Sequence, residues 1–164
     1  MFAIFKKEVQ QFFSSLVGYV AIIVFLSLLG MFIWIFPGSN ILDSGYATLD
    51  YFFDIAPYIL CVLIPAVTMR SFAEEINTGT IELLSTRPVT ELEIILGKYF
   101  ASLVFVLVAI LPTFIYFYTV YHLASPVGNI VVGGVLCSYF GLMCLGGVVV
   151  VIGTFWSAIT SNQL

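Results

Sequence analysis

The residues able to do acid–base or ionic chemistry are few, and they sit in three groups. Lys6, Lys7 and Glu8 stand near the N-terminus. Asp43, Asp50 and Asp54 follow the first long apolar block. Arg70, Glu74, Glu75, Glu82, Arg87, Glu91, Glu93 and Lys98 share one central segment. His122 is the one histidine. A hydrolytic site needs a nucleophile beside a base held by a third group, and no apolar block places His or Asp near its centre with a Ser or Cys. Placed directly after Tyr121, His122 reads as a polar residue at a membrane interface. Cys61, Cys137 and Cys144 lie in apolar stretches without metal-ligand spacing, and an odd count does not close a disulfide framework; they read as small packing residues. These residues imply no catalytic group, cofactor or metal. A basic patch with interleaved aromatics is also lacking, so no nucleic acid is expected as a partner.

The elements that carry these groups are long and apolar. Of the 164 residues, 62% are hydrophobic and 9% charged, against roughly 25% charged in an average soluble domain. No Asp, Glu, Lys or Arg occurs between Val9 and Leu42, or between Tyr99 and Leu164. Runs of about 18 or more apolar residues read as transmembrane helices. Four spans are expected, near Val17–Phe36, Phe52–Met69, Tyr99–Val120 and Asn129–Phe155. Pro37-Gly38-Ser39-Asn40 stops the first. Pro65 should kink the second, and Pro112 lies inside the third. The first block is too long for a signal-peptide core and lacks a small-x-small cleavage site, so it reads as a retained span. The fold class is an all-α polytopic membrane bundle.

Every Lys and Arg falls before the first span or between the second and third, and the intervening side receives only Asp. The positive-inside rule therefore places the N-terminus and Arg70–Lys98 in the cytoplasm. Tyr46, Tyr51, Phe52 and Phe53 outside, and Tyr99 and Phe100 inside, suit interfacial belts. Residues 1–16 put Phe2, Phe5, Val9, Phe12 and Phe13 at helical spacing. This is either an interfacial helix with its polar side among lipid headgroups or an early start to the first span. Gly134 with Ser138, and Cys137 with Gly141, have the small-x-x-x-small spacing of close helix packing, within the chain or across a dimer.

Residues 70–98, RSFAEEINTGTIELLSTRPVTELEIILGK, form the only sizeable polar region. The second span should continue as helix past Glu74 and Glu75 and end at Asn77-Thr78-Gly79. Thr80 or a neighbour then caps a very short helix, Ile81-Glu82-Leu83-Leu84, which Arg87-Pro88 breaks. Thr90 and Glu93 form a capping box that opens the third span's helix. So short a helix is poorly stable alone. It is either a plain connector or an apolar knob, with Leu83 and Leu84 foremost, that docks into a partner's groove.

The runs Arg70-Ser-Phe-Ala-Glu-Glu75, Thr78-Gly79-Thr80-Ile-Glu82-Leu83-Leu84, Arg87-Pro88 and Ile95-Leu-Gly97-Lys98 resemble the first cytoplasmic loop of ABC-2-type permeases. The whole chain is more closely similar to the gliding-motility-associated ABC permeases of Bacteroidetes. Ser14–Tyr19, Trp34–Pro37, Asn40–Ala47, Ala56-Pro57 and Ile64–Arg70 carry that likeness. The resemblance implies a multi-pass permease subunit of the bacterial inner membrane, in a permease dimer or heterodimer. It also implies a coupling helix in the loop that engages an ATP-binding ABC subunit. Glu74, Glu75, Gly79, Thr80, Glu82, Leu83, Leu84 and Pro88 would be its coupling residues: the two glutamates as loop anchors, Gly79 as the sharp turn. The family has six spans, so the four found here imply a transmembrane domain, 1–164, incomplete at its C-terminus. The chain has no G-x-x-x-x-G-K-[ST] phosphate loop, which agrees with an ATPase on a separate subunit. An ion-coupled carrier is the alternative. Such carriers place ionisable groups at membrane depth, whereas Asp50, Asp54 and His122 stand at the outer edge.

Overall fold

A computed structural model describes residues 2–36, 41, 45–46, 48–77 and 91–161. Among these, the regular structure is helical: α1 (Phe2–Ser14), α2 (Leu16–Trp34), α3 (Asp50–Asn77), α4 (Glu91–Ile110), a 3-10 turn (Leu111–Thr113), α5 (Phe114–Leu123) and α6 (Val132–Ser161). Four stretches are long and apolar enough to cross a membrane: Leu16–Trp34, Asp50–Thr68, Leu92–Leu123 and Val132–Ser157. The expected polytopic helix bundle is therefore found.

Each helix has a local cause. Ser15 is extended (φ −82°, ψ 128°) and its hydroxyl accepts from the Val17 N–H, capping α2 in the usual manner of serine. The helical pattern of residues 2–14 thus ends in an elbow of one residue, and α1 is separate from the first span. Pro112 has no N–H to continue the α ladder. The third span accordingly breaks into α4 and α5 around a 3-10 turn, where the sequence led us to expect one helix with an internal proline. Thr113 is fully buried at this break. Its hydroxyl donates to the Ile110 carbonyl at 2.6 Å, while the Tyr139 hydroxyl on α6 donates to the Thr113 carbonyl at 3.1 Å. The polar groups at the break are thus held by side chains of the bundle, as hydrocarbon demands.

The core lies where α6 packs on α3 and α4. Phe52, Leu60, Ile64, Val106 and Val150 are almost wholly buried there. Close approach is set by glycine at two places. A Cβ on Gly146 would stand 2.7 Å from Val106 Cγ1, and one on Gly153 would collide with the Thr68 hydroxyl. These, rather than Gly134 or Gly141, are the residues that let α6 approach. A Cβ on Gly134 would meet only Val131, and one on Gly141 nothing within 4 Å. Two further readings change. Phe52 is buried instead of forming an interfacial belt, and its ring meets Phe53 and Tyr139. Cys61, Cys137 and Cys144 are all exposed on the bundle's outside, because their faces of α3 and α6 point away from the core.

The first span is the least enclosed. Only 22% of it is buried, against 39–44% for the other three. It leans on α3 beside a groove of about 510 Å³, lined by Val20, Val24, Leu28, Tyr58, Val62 and Ala66 among others. From α5, the Tyr116 hydroxyl donates to the Leu26 carbonyl at 3.1 Å.

Candidate functional site

Residues 78–90 carry most of the expected coupling groups, and the two helices that bracket them are described. α3 continues nine residues past the apolar window that ends at Thr68, to Asn77. At 1.5 Å per residue this is roughly 13 Å of helix beyond the span. The expected stop at Asn77-Thr78-Gly79 falls on Thr78 and Gly79, which lie outside the described residues. Glu74 and Glu75 lie on this extension. Gly79, Thr80, Glu82, Leu83, Leu84 and Pro88 lie outside the described residues, as does Thr90 of the expected capping box; α4 begins at Glu91, the first residue after that threonine. From Leu92 the third apolar stretch runs 32 residues to Leu123, or about 48 Å if fully helical. This exceeds the ~30 Å hydrocarbon thickness, so one end must reach past the apolar layer.

What α4 meets at its beginning is α1. Small residues on one face of α4 admit that helix: a Cβ on Gly97 would stand 3.0 Å from Ile4 Cγ2 and 3.5 Å from the Phe5 nitrogen. One turn further, Ala101 and Ser102 are buried. Next, the rings of Phe12 and Phe105 lie 5.6 Å apart. At the centre of the contact, Lys98 Nζ donates to Glu8 Oε1 at 3.0 Å, with the two side chains 3% and 1% exposed. Sequence reasoning assigned Glu8 to the headgroup side of an interfacial helix and Lys98 to the positive-inside count. Instead the two are joined inside the protein across 90 residues of sequence. The apolar stripe of α1 is partly turned as expected, with Phe12 buried and Phe5 and Val9 packed against the core, but Phe2 points outward beside exposed Lys6. No signal local to either residue marks the pair, since it forms only when α1 folds back on α4.

An ion pair of this kind is costly to break. Removing one partner leaves a buried charge, a penalty of about 3–5 kcal/mol, whereas replacing both by apolar groups is often neutral.

The chain matches the family described as ABC-2 family transporter protein over residues 2–163. It belongs to that family. No curated protein and no solved structure matches it. As an ABC-2 permease it is a multi-pass membrane protein rather than an enzyme, and permeases of this family normally work with an ATP-binding subunit. The family places α1, the extension of α3 and the start of α4 in a transporter.

Proposed function

We propose that this chain is the membrane-spanning subunit that couples ATP hydrolysis on a separate subunit to substrate translocation, with residues 70–98 as the docking segment. The carrying observation is the family match over residues 2–163. It is supported by two helices, α3 and α4, that bracket residues 78–90 from Asn77 and Glu91. In this reading Ile81–Leu84 is the coupling helix, and Leu83 and Leu84 enter a groove on the ATPase. Glu82 lies on the adjoining polar side, Thr80 caps the helix, and Gly79 and Pro88 bound it. Glu74 and Glu75 anchor its base. The positive-inside distribution supports a cytoplasmic N-terminus and loop, in the inner membrane of a bacterium. The sequence runs Ser14–Tyr19 and Asn40–Ala47 support a role in gliding motility, and the working unit is a permease dimer or heterodimer.

Burying two leucines is worth roughly 1.5–3 kcal/mol each, so losing both weakens docking by orders of magnitude. Leu83→Asp with Leu84→Asp should abolish copurification of the ATP-binding subunit while membrane insertion persists. Undiminished recovery of that subunit would reduce the segment to a connector.

A further inference from the structure

Glu8 and Lys98 join the helix before the first span to the helix that follows residues 78–90. The contact between α1 and α4 runs from Ile4 on Gly97, through the ion pair, to Phe12 on Phe105. At the other end of α1, the joint to α2 is a single residue, Ser15, whose backbone N–H donates to the Gln11 carbonyl and whose hydroxyl caps α2. Gly18 then lies so close to the Phe12 carbonyl that a Cβ there would collide with it. This elbow has little freedom to bend. The span it leads into is the least enclosed of the four.

We propose that Glu8 and Lys98 are a positioning pair that makes α1 and α4 shift as one body, so that motion of residues 78–90 reaches α2 through the Ser15 elbow. This rests on the coupling reading above. An apolar contact of the same area would hold the two helices together but would let them slide. A buried, hydrogen-bonded charge pair has one satisfied arrangement and a heavy penalty for every other, so it fixes register. Motion delivered to the first turns of α4 then has two outlets, the third span directly and the first span by way of α1.

The test uses the full chain coexpressed with its ATP-binding subunit. Cys61, Cys137 and Cys144 are changed to Ala, and spin labels are placed on exposed positions of the two helices by Gln10→Cys and Leu92→Cys. In the unaltered pair, the label distance should be single and narrow, and the same without nucleotide and with trapped ATP. Glu8→Gln removes the negative charge that meets Lys98 and risks misfolding, so the deciding variant is Glu8→Leu with Lys98→Met, which removes both charges together. That variant should insert and recover the ATP-binding subunit normally. Its distance distribution should broaden, and nucleotide turnover of the complex above that of the lone ATPase should fall roughly tenfold, within the usual range for coupling between sites. A narrow distance or undiminished turnover in the double variant overturns the proposal, as does a label distance that changes with ATP in the unaltered pair. Failure of the coupling reading looks different: no ATP-binding subunit copurifies even with the unaltered pair, while the label distances in the isolated permease still decide whether Glu8 and Lys98 hold α1 to α4.

Discussion

Gly146 gives the sharpest quantitative test of the packing. Its missing Cβ would stand 2.7 Å from Val106 Cγ1 and 3.7 Å from Ile64 Cδ1. Carbon atoms in ordinary contact stand about 3.5–4.0 Å apart, so Gly146→Ala requires Val106 to retreat by close to 1 Å. Val106 has little room, being 1% exposed, and a β-branched side chain in a helix has one strongly preferred rotamer. Overpacking of this sort costs about 1–3 kcal/mol. Against it stands the better helix propensity of alanine, roughly 0.8–1.0 kcal/mol. The net is a loss of about 0–2 kcal/mol, whereas Gly141→Ala, with nothing within 4 Å, should keep the propensity gain alone. The two variants each carry one glycine-to-alanine change on the same helix, so the difference in their melting temperatures in detergent isolates the contact. Gly146→Ala should melt below Gly141→Ala, and Gly146→Ala should cost less in a Val106→Ala background than in the unaltered chain, because the smaller side chain makes room. If Gly146→Ala melts as high as Gly141→Ala, or costs as much with Val106→Ala present as without it, the close packing of α6 on α4 is not as described.

Two further predictions follow from the bundle and its orientation. Tyr139→Phe removes the hydroxyl that holds the Thr113 carbonyl; hydrogen bonds between membrane helices average about 0.6 kcal/mol with a maximum near 1.7, so a small drop in melting temperature is expected, and a larger loss than Gly146→Ala would mean that the Pro112 break depends on this contact far more than its geometry implies. Ser39→Cys should react with an impermeant thiol reagent in intact cells and Thr78→Cys should not, in a background lacking the native cysteines; the reverse pattern would invert the topology.

Span positions were legible because they follow from what hydrocarbon tolerates. Charges and turn residues bound each apolar block, and α3 carries on past Glu74 and Glu75 as the sequence led us to expect. The helical stripe of residues 2–14 was legible too, since Phe5, Val9 and Phe12 recur at the right spacing. Contacts between distant elements were not. Nothing local to Glu8 says that it meets Lys98, because the pairing depends on how α1 folds back at Ser15. The glycine spacing left two readings open for a related reason: Gly134 and Gly141 have the spacing of a packing motif, but the rotation of α6 turns them away from contacts within the chain and puts Gly146 and Gly153 against the neighbours. The same rotation leaves Cys137 and Cys144 outside. Residues 78–90, which carry most of the proposed coupling groups, lie outside the described residues, so their role rests on the family and on the helices that flank them.

The hydroxyl of Thr68 bears on how this protein is made. It donates back to the Ile64 carbonyl at 3.0 Å within its own helix, although in the finished bundle it lies against Gly153 of α6. α3 ends at Asn77 and α6 at Ser161, a gap of 84 residues, or roughly 4–17 s of synthesis at about 5–20 residues per second. During that interval α3 stands in lipid without its principal neighbour. A hydroxyl that required α6 for its hydrogen bond would go without that bond, at the edge of the apolar layer, throughout the wait. Because its bond is internal to α3, the helix can leave the insertion machinery with this side chain already satisfied, and the late arrival of α6 adds packing without having to rescue a polar group.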